Sequence, residues 1–256
     1  MKIAIVTGAS SGMGREFVRQ LGYFYKNLDE IWVIARRKER LEALAKESRV
    51  PLRIFAGDLQ KKKVYKELRD ALEKEQPDLR MLVNSAGFGK SGSVEEILSE
   101  KFRIQTDMVD VNCRSLTRMT LLCLPFLRAG SRIVNLASAS AFCPQPYFSV
   151  YAATKSYVLS FSRSLGEELR KKGIVVTAVC PGPVDTEFFK FFRETAEYLE
   201  ETDNGEGRQS GSSGVEGLQI REVSLRLWNP NEINLLWNKT AATWISRAYA
   251  ANMNLE

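Results

Sequence analysis

Residues 2–14 read KIAIVTGASSGMG, and this stretch decides the fold. A short apolar, β-branched run ends at a glycine-rich turn, and a helical segment follows the turn. Glycines directly after a first strand let the backbone turn tightly and approach a pyrophosphate, which then meets the N–H groups at the helix N-terminus. The stretch therefore predicts a dinucleotide-binding loop, with contacts from Gly8, Ser10, Ser11, Gly12, Met13 and Gly14.

The same strand-then-helix order repeats through the first 190 residues or so. Near-continuous apolar runs, as expected for strands buried on both faces, predict strands at Ile3–Thr7, Ile31–Ala35, Leu52–Phe55, Leu79–Asn84, Arg132–Ala137 and Ile174–Cys180. Amphipathic segments between them predict helices at Met13–Lys26, Lys38–Ser48, Lys61–Glu75, Lys101–Leu127 and Tyr151–Lys171. The alternation predicts an α/β fold, a Rossmann-type doubly wound parallel sheet with helices on both faces. We assign it to a single domain, residues 1–199.

Composition excludes several kinds of chemistry. The 256 residues contain no histidine, which excludes Ser-His-Asp triads, Cys-His dyads, HExxH zinc sites and C₂H₂ fingers. We expect no metal site. The net charge is +6, but opposite charges alternate within residues 36–47, which is typical of a solvated helix surface. We therefore do not expect nucleic acid as a partner.

The cysteines and the apolar runs indicate the cellular setting. Cys113, Cys123, Cys143 and Cys180 are scattered without a CxxC pair, which favours reduced thiols in a cytoplasmic protein. The apolar run at the N-terminus stops at Gly8 and is too short for a signal peptide. No stretch approaches 18 apolar residues, so we expect no membrane span.

Tyr151 and Lys155 are candidates for acid–base chemistry. On a helix, side chains four residues apart share a face, and a nearby cation lowers the pKa of a phenol from its usual value near 10. Such a pair can move protons without histidine. Ser138 lies at the end of a predicted strand, where open α/β sheets bind ligands, and Asn112 lies in the preceding helical segment.

Each of these four residues also has a purely structural interpretation. Ser138 could cap a strand end, and Asn112 could be a buried polar group with satisfied hydrogen bonds. Tyr151 could belong to the core, and Lys155 to the surface. Their occurrence together with the glycine-rich loop favours a catalytic interpretation.

The tip of the second predicted strand indicates which dinucleotide binds. A carboxylate there would accept hydrogen bonds from the ribose 2′-hydroxyl, whereas an arginine would meet a 2′-phosphate. The sequence reads Ala35-Arg36-Arg37-Lys38, with no carboxylate. We predict NADP(H) rather than NAD(H), with Arg36 as the phosphate contact and Arg15 and Arg37 as lesser candidates. The alternative is that these arginines are solvated helix residues.

The spacing Gly8-x-x-x-Gly12-x-Gly14, together with Tyr151-x-x-x-Lys155, resembles the classical short-chain dehydrogenase/reductase family. Residues 84–87 are similar to the Asn-Asn-Ala-Gly motif of that family, with Ser85 in place of the second Asn. The resemblance implies further cofactor contacts, which are Asp58 and Leu59 at the adenine, Asn84, Ala86 and Gly87 beside the adenosine ribose, and Pro181, Gly182, Val184 and Thr186 at the nicotinamide.

The resemblance also implies a role for each catalytic candidate. Tyr151 would exchange a proton with the substrate oxygen, and Lys155 would bind the nicotinamide ribose and lower the pKa of the tyrosine. Ser138 would orient the substrate oxygen, and Asn112 would bind a water that connects Lys155 to solvent. The implied function is an NADP(H)-dependent carbonyl reductase or alcohol dehydrogenase for a small molecule, in a homodimer or homotetramer. The alternative is a non-catalytic dinucleotide-binding or regulatory protein on the same fold.

The segments that would border the substrate are rich in aromatic residues and proline. Phe142, Pro144, Pro146 and Tyr147 predict an apolar rim that suits a medium-sized hydrophobic ketone or secondary alcohol. Glu187–Glu200, with four phenylalanines, predicts either a segment that covers the substrate or ordinary core packing.

The C-terminal part of the chain departs from this pattern. Residues 200–217 are polar and rich in Gly and Ser, which predicts a flexible linker. Residues 218–256 carry three of the four tryptophans and no strand–helix alternation, so we predict an atypical C-terminal segment. One choice of codons for residues 227–245, read one base later, gives YGIPMKLTYYGTKLLPHGF, which is closer to the usual ending in the family. Our hypothesis is that this segment is a frameshifted translation.

Overall fold

Six parallel strands form one sheet within residues 1–100 and 103–182, which are the residues that the computed structural model describes. The strands are β1 (Lys2–Thr7), β2 (Glu30–Ala35), β3 (Leu52–Ala56), β4 (Asp78–Asn84), β5 (Leu127–Leu136) and β6 (Val175–Val179). Their order is β3-β2-β1-β4-β5-β6. The order reverses direction between β1 and β4, and ligands of open α/β sheets bind outside the strand ends at such a point.

Helices connect the strands and cover both faces of the sheet. They are α1 (Gly12–Phe24), α2 (Lys38–Glu47), α3 (Lys62–Glu75), α4 (Val94–Glu100), α5 (Ile104–Val109), α6 (Leu116–Cys123) and α7 (Ser149–Arg170). Residues 110–115 form a π-helical turn between α5 and α6, and short 3₁₀ turns occupy residues 124–126 and 139–142. The predicted doubly wound Rossmann-type fold is confirmed.

Alternating strand residues build a hydrophobic core on each face. Ala4 and Val6 of β1 pack on one face, where α1 and α2 contribute apolar side chains such as Phe17. Ile3 and Ile5 of the same strand point to the other face, which α3, α6 and α7 cover. This alternation explains the near-continuous apolar strands, because side chains on both faces leave water.

The prediction of one long helix at Lys101–Leu127 is wrong about where the helical region begins and about its continuity. The helical region begins earlier, at Val94, because Ser93 and Glu96 form a capping box. The Glu96 amide donates to Ser93 Oγ (3.1 Å), and the Ser93 amide donates to the Glu96 carboxylate (2.7 Å). The region is also divided by the π-helical turn at residues 110–115.

Strand β5 begins five residues before its predicted start at Arg132. Leu127 pairs with Leu79, and Arg132 pairs with Met81, so a bulge lies between these pairs. Gly130 within the bulge has a φ of 84°, and its amide donates to the carbonyl of Gly173 at 2.7 Å. An irregular strand start of this kind leaves no simple apolar pattern in the sequence.

The predictions for the C-terminal part lie outside the described residues. They concern the linker at 200–217, the atypical segment at 218–256 and the segment Glu187–Glu200. Among the described helices, none is long and apolar enough to cross a membrane.

Candidate active site

A cleft of about 630 Å³ runs along the edge of the sheet where the strands end. Thr7 of β1 is level with Asn84 of β4, and Asn84 is level with Asn135 of β5. The loops that follow these strands therefore meet at one edge of the sheet. The cleft lies at the reversal of strand order, where the fold predicts a ligand.

The glycine-rich loop forms one end of the cleft. Gly8 and Gly12 have φ values of 71° and 51°, which side-chain-bearing residues rarely adopt. A Cβ on Gly8 would lie 2.8 Å from the backbone of Ala86, and a Cβ on Gly14 would collide with the carbonyl of Gly8. Helix α1 begins at Gly12 without a side-chain cap from Ser11 and without an acidic residue in its first turn. The loop is thus a close-packed backbone cradle beside a helix N-terminus, which suits a pyrophosphate.

Most of the predicted cofactor residues line this cleft. They are Gly8, Ser10, Ser11, Gly12, Met13, Gly14, Arg36, Asp58, Leu59, Ala86, Gly87, Tyr151, Lys155, Pro181 and Gly182. Asn84 instead lies inside the sheet, where its amide donates to Thr120 Oγ1 (3.0 Å) and Asn135 Oδ1 (2.9 Å). Val184 and Thr186 lie outside the described residues.

Thr7 braces the loop after β4, and the sequence analysis missed it. Its hydroxyl oxygen accepts hydrogen bonds from the amides of Ser85 and Ala86, both at 3.1 Å. The residue is 2% exposed. A threonine at a buried strand end, directly before the first glycine of the loop, is the available sequence signal.

Arg37, which the sequence ranked below Arg36, contacts the glycine-rich loop directly. Its guanidinium donates to Ser11 Oγ at 2.7 Å and to Ser10 Oγ at 3.2 Å. Arg36 is exposed and also lines the cleft. Two cations therefore stand at this end of the cleft, one bonded to the loop and one exposed to solvent.

Ser138 and Tyr151 meet in the middle of the cleft. Ser138 lies two residues beyond the end of β5, and its Oγ accepts a hydrogen bond from the Ser140 amide at 3.2 Å. Tyr151 comes from the first turn of α7, where its ring stacks on that of Phe148 with centroids 4.2 Å apart. Burial raises the pKa of Tyr151 to about 12, and a hydrogen bond with the Ser138 side chain opposes this rise. The phenol therefore keeps its proton at neutral pH.

Lys155 is buried one helical turn after Tyr151. Its Nζ donates to the main-chain carbonyl of Leu136 at 2.7 Å and lies 5.5 Å from the centre of the Tyr151 ring. Burial lowers the pKa of Lys155 to about 8, opposed by the nearby thiols of Cys113 and Cys180. The lysine still carries its charge at pH 7. The expected lowering of the Tyr151 pKa by Lys155 does not appear, because burial dominates and only the Ser138 hydrogen bond lowers it.

Asn112 connects the π-helical turn to two other parts of the site. Its Oδ1 accepts from the Phe88 amide (3.0 Å), and its Nδ2 donates to the Phe88 carbonyl (2.9 Å) and to Thr154 Oγ1 (3.0 Å). A Cβ on Gly87 would lie 3.0 Å from Asn112 Oδ1 and 3.6 Å from Lys155 Nζ. Asn112 is thus brought close to the lysine, with only a glycine between them.

The wall beyond Tyr151 differs from the predicted apolar rim. In the segment 142–148, Gln145 and Phe148 line the cleft, whereas Phe142 and Tyr147 are exposed. Phe88 contributes a second ring to the lining. The lining of the cleft thus includes the rings of Phe88 and Phe148 and the amide of Gln145, together with Asp107 and Val111 from the helical region that carries Asn112.

Comparisons with known proteins agree with this geometry. The family model described as short chain dehydrogenase matches residues 2–197. An uncharacterized oxidoreductase of Staphylococcus epidermidis is 32% identical over 187 residues, which are 72% of this chain and 79% of that protein. The very-long-chain 3-oxoacyl-CoA reductase-A of Danio rerio is 32% identical over 203 residues, 76% of this chain and 61% of that protein.

A solved structure has the same fold at similar identity. The crystal structure of an actinorhodin polyketide ketoreductase variant with NADPH superimposes with a TM-score of 0.67 at 32% identity, covering 78% of this chain and 77% of that one. The chain therefore belongs to the short-chain dehydrogenase family.

Proposed function

We propose that this member of the short-chain dehydrogenase family is an NADP(H)-dependent oxidoreductase that interconverts a ketone and a secondary alcohol. The observation that carries the proposal is the convergence of Ser138, Tyr151 and Lys155 in the same cleft as the glycine-rich loop. The arginines at the opposite end, with no carboxylate at the tip of β2, favour a 2′-phosphate. The presence of NADPH in the ketoreductase structure also supports this choice.

The residues present fit a dinucleotide. The backbone cradle at Gly8, Gly12 and Gly14 would hold the pyrophosphate, Asp58 would meet the adenine, and Lys155 would meet the nicotinamide ribose. When bound, the nicotinamide would supply or accept the hydride, while the protein orients the groups and moves the proton.

In the reductive direction, Tyr151 would donate its phenolic proton to the carbonyl oxygen. The buried phenol is protonated at neutral pH, as a general acid must be. Ser138 would hold the same oxygen through its hydroxyl, and Lys155 would hold the nicotinamide ribose beside Tyr151. We propose that Asn112 positions a water near Lys155 that returns a proton from solvent.

The rings of Phe88 and Phe148 favour a ketone with an apolar substituent. We also propose that the protein is located in the cytoplasm. Phe88 and Phe148 offer apolar surface next to Tyr151. All four cysteines have free thiols, which suits a reducing compartment.

The deciding experiment measures NADPH and NADH oxidation by the purified chain against a panel of apolar ketones, with Tyr151→Phe as the matched control. We expect turnover with NADPH that falls at least 100-fold in Tyr151→Phe, because the proton donor is lost. Equal turnover of the variant would refute the mechanism. Tight NADPH binding with no turnover of any carbonyl would instead favour a non-catalytic dinucleotide-binding protein.

A further inference from the structure

The main-chain carbonyl of Leu59 accepts hydrogen bonds from hydroxyl groups of two different structural elements. Tyr65 Oη of α3 donates at 2.8 Å, and Ser115 Oγ of the π-helical turn donates at 3.1 Å. The three residues are between 2% and 8% exposed. A carbonyl oxygen has two lone pairs, so both donors can be accommodated.

This carbonyl belongs to the loop that lines the cleft at residues 57–60. Within the loop, the Gln60 amide donates to Asp58 Oδ1, and the Lys61 amide donates to the Asp58 carbonyl, both at 2.9 Å. These two bonds are internal to the loop. The Gly57 amide attaches the start of the loop to β2 by donating to the Ala35 carbonyl at 2.9 Å, and Tyr65 and Ser115 attach its middle at Leu59.

Core packing alone does not account for these hydroxyl groups. Phe at position 65 and Ala at position 115 would fill nearly the same space without burying a polar group, which costs free energy unless it is hydrogen-bonded. Burial raises the pKa of Tyr65, so its phenol remains a donor in the neutral range. The guanidinium of Arg118 lies 4.4 Å from the centre of the Tyr65 ring and holds the ring from the other side.

Ser115 also contacts the π-helical turn to which it belongs. Its Oγ also lies 2.9 Å from the carbonyl oxygen of Asp110, five residues earlier within the π-helical turn, so its single hydrogen is shared between the Asp110 and Leu59 carbonyls in a three-centre bond. Asn112 lies between these two residues. One hydroxyl therefore contacts both the loop that carries Asp58 and the turn that carries Asn112.

We infer that Tyr65 and Ser115 are positioning residues for the adenine end of the cofactor, and that Ser115 also couples this end of the cleft to Asn112. The inference rests on the proposed function in taking the cleft to bind a nicotinamide dinucleotide. Neither residue lines the cleft, so both act through Leu59 and its neighbour Asp58.

The test compares the full-length wild type with Tyr65→Phe and Ser115→Ala. The matched control is Ser131→Ala, which removes a buried hydroxyl that donates to the Leu79 carbonyl at 2.7 Å, at the opposite end of the sheet from the cleft. Calorimetry measures the Kd of NADPH and of adenosine 2′,5′-bisphosphate, which carries only the adenine half. Amide hydrogen exchange of residues 57–60 without cofactor provides a second readout.

We expect both variants to weaken both ligands by about fivefold to tenfold, the loss of one hydrogen bond, and to speed exchange at residues 57–60. Ser131→Ala should change neither. In Tyr65→Phe the kinetic loss should be in KM for NADPH. In Ser115→Ala, kcat should also fall, and its pH profile should shift.

Wild-type affinities and exchange rates in Tyr65→Phe would overturn the positioning role, and that conservative variant carries the test if Ser115→Ala fails to fold. An unchanged kcat and pH profile in folded Ser115→Ala would overturn the coupling to Asn112. Failure of the wild type to bind NADPH would overturn the proposed function and this inference with it. Binding by the wild type with unaltered affinities in the variants would overturn the inference alone.

Discussion

Lys155 Nζ donates a 2.7 Å hydrogen bond to the main-chain carbonyl of Leu136, so a buried ammonium joins helix α7 to the end of β5. This bond satisfies part of the buried charge, but burial still lowers the pKa of the lysine to about 8. The charge is thus maintained at the site at a cost in stability, which functional sites commonly carry.

We predict that Lys155→Met lowers the rate of carbonyl reduction at least 100-fold while the protein remains as stable as the wild type at pH 7. The group that would bind the nicotinamide ribose is lost, which lowers the rate, but the free-energy cost of burying a charge is also removed. Steady-state turnover and thermal denaturation measure the two effects. Retained turnover together with a large drop in Tm would show that Lys155 is only structural.

Substitutions of Arg36 and of Arg37 should have different effects on KM for NADPH and KM for NADH. Arg36→Ala should raise KM for NADPH by about tenfold or more and leave KM for NADH unchanged, since only NADPH offers a phosphate to the exposed guanidinium. Arg37→Ala should raise both KM values, because Ser10 and Ser11 lose their donor. Lys38→Ala, a neighbouring cation paired with Glu42, is the matched control. An equal effect of Arg36→Ala on both cofactors would contradict the assignment.

The stacking of Phe148 on Tyr151 should support catalysis. Phe148→Leu keeps an apolar side chain but removes a stacked pair, which is worth about 0.5–1.5 kcal/mol. We expect a roughly threefold to tenfold lower kcat with little change in KM for NADPH. Phe161→Leu is the control, because Phe161 stacks on Tyr157 of the same helix at 6.0 Å. Equal loss of kcat in both variants would indicate a general effect on α7.

Replacing Tyr147 or Gln76 by glycine should make the protein more stable. Their φ values are 59° and 45°, in the left-handed region that costs a residue with a side chain about 1–2 kcal/mol. Both side chains are exposed, so little packing is lost. We expect each of Tyr147→Gly and Gln76→Gly to raise the free energy of unfolding by about 0.5–1 kcal/mol in urea denaturation. A destabilised Tyr147→Gly beside a stabilised Gln76→Gly would mean that the Tyr147 ring has a structural role.

Stability should decline above pH 9 because of the buried thiol of Cys123. Burial raises its pKa from 9.0 to about 12, so between these values the folded state binds more protons than the unfolded state. The free energy of unfolding therefore falls as pH rises, by about 1.4 kcal/mol at pH 10 from this thiol. Cys123→Ala, compared with the wild type by denaturant unfolding at pH 7.5 and 10, should lose that part of the decline. An identical decline in the variant would contradict the prediction.

Much of the fold and of the cleft could be predicted from local sequence patterns. The apolar strands and the glycine spacing each depend on a few consecutive residues, and they located the sheet and the cradle correctly. The Ser93–Glu96 capping box was available as a signal but was overlooked.

The remaining features depend on contacts between residues far apart in the sequence. Hydrogen bonds join Thr7 to Ala86, Arg37 to Ser11, and Ser115 to Leu59, and the two residues of each pair are more than 25 positions apart in the sequence. Arg36 and Arg37 are the same residue type at adjacent positions, so only the turn of the chain after β2 decides which one reaches the loop. The high pKa of Tyr151 likewise follows from its burial, which the four-residue spacing to Lys155 does not encode.

Asn112 binds Phe88 only through main-chain atoms, with one hydrogen bond to the amide and one to the carbonyl. These two hydrogen bonds do not depend on the side chain at position 88, which lines the cleft and packs against Met108, Phe148 and Tyr151. Position 88 can accept new side chains without disturbing the attachment of its loop. Under the proposed function, we expect substitutions at this position to alter substrate preference while the hydrogen bonds of Asn112 are kept.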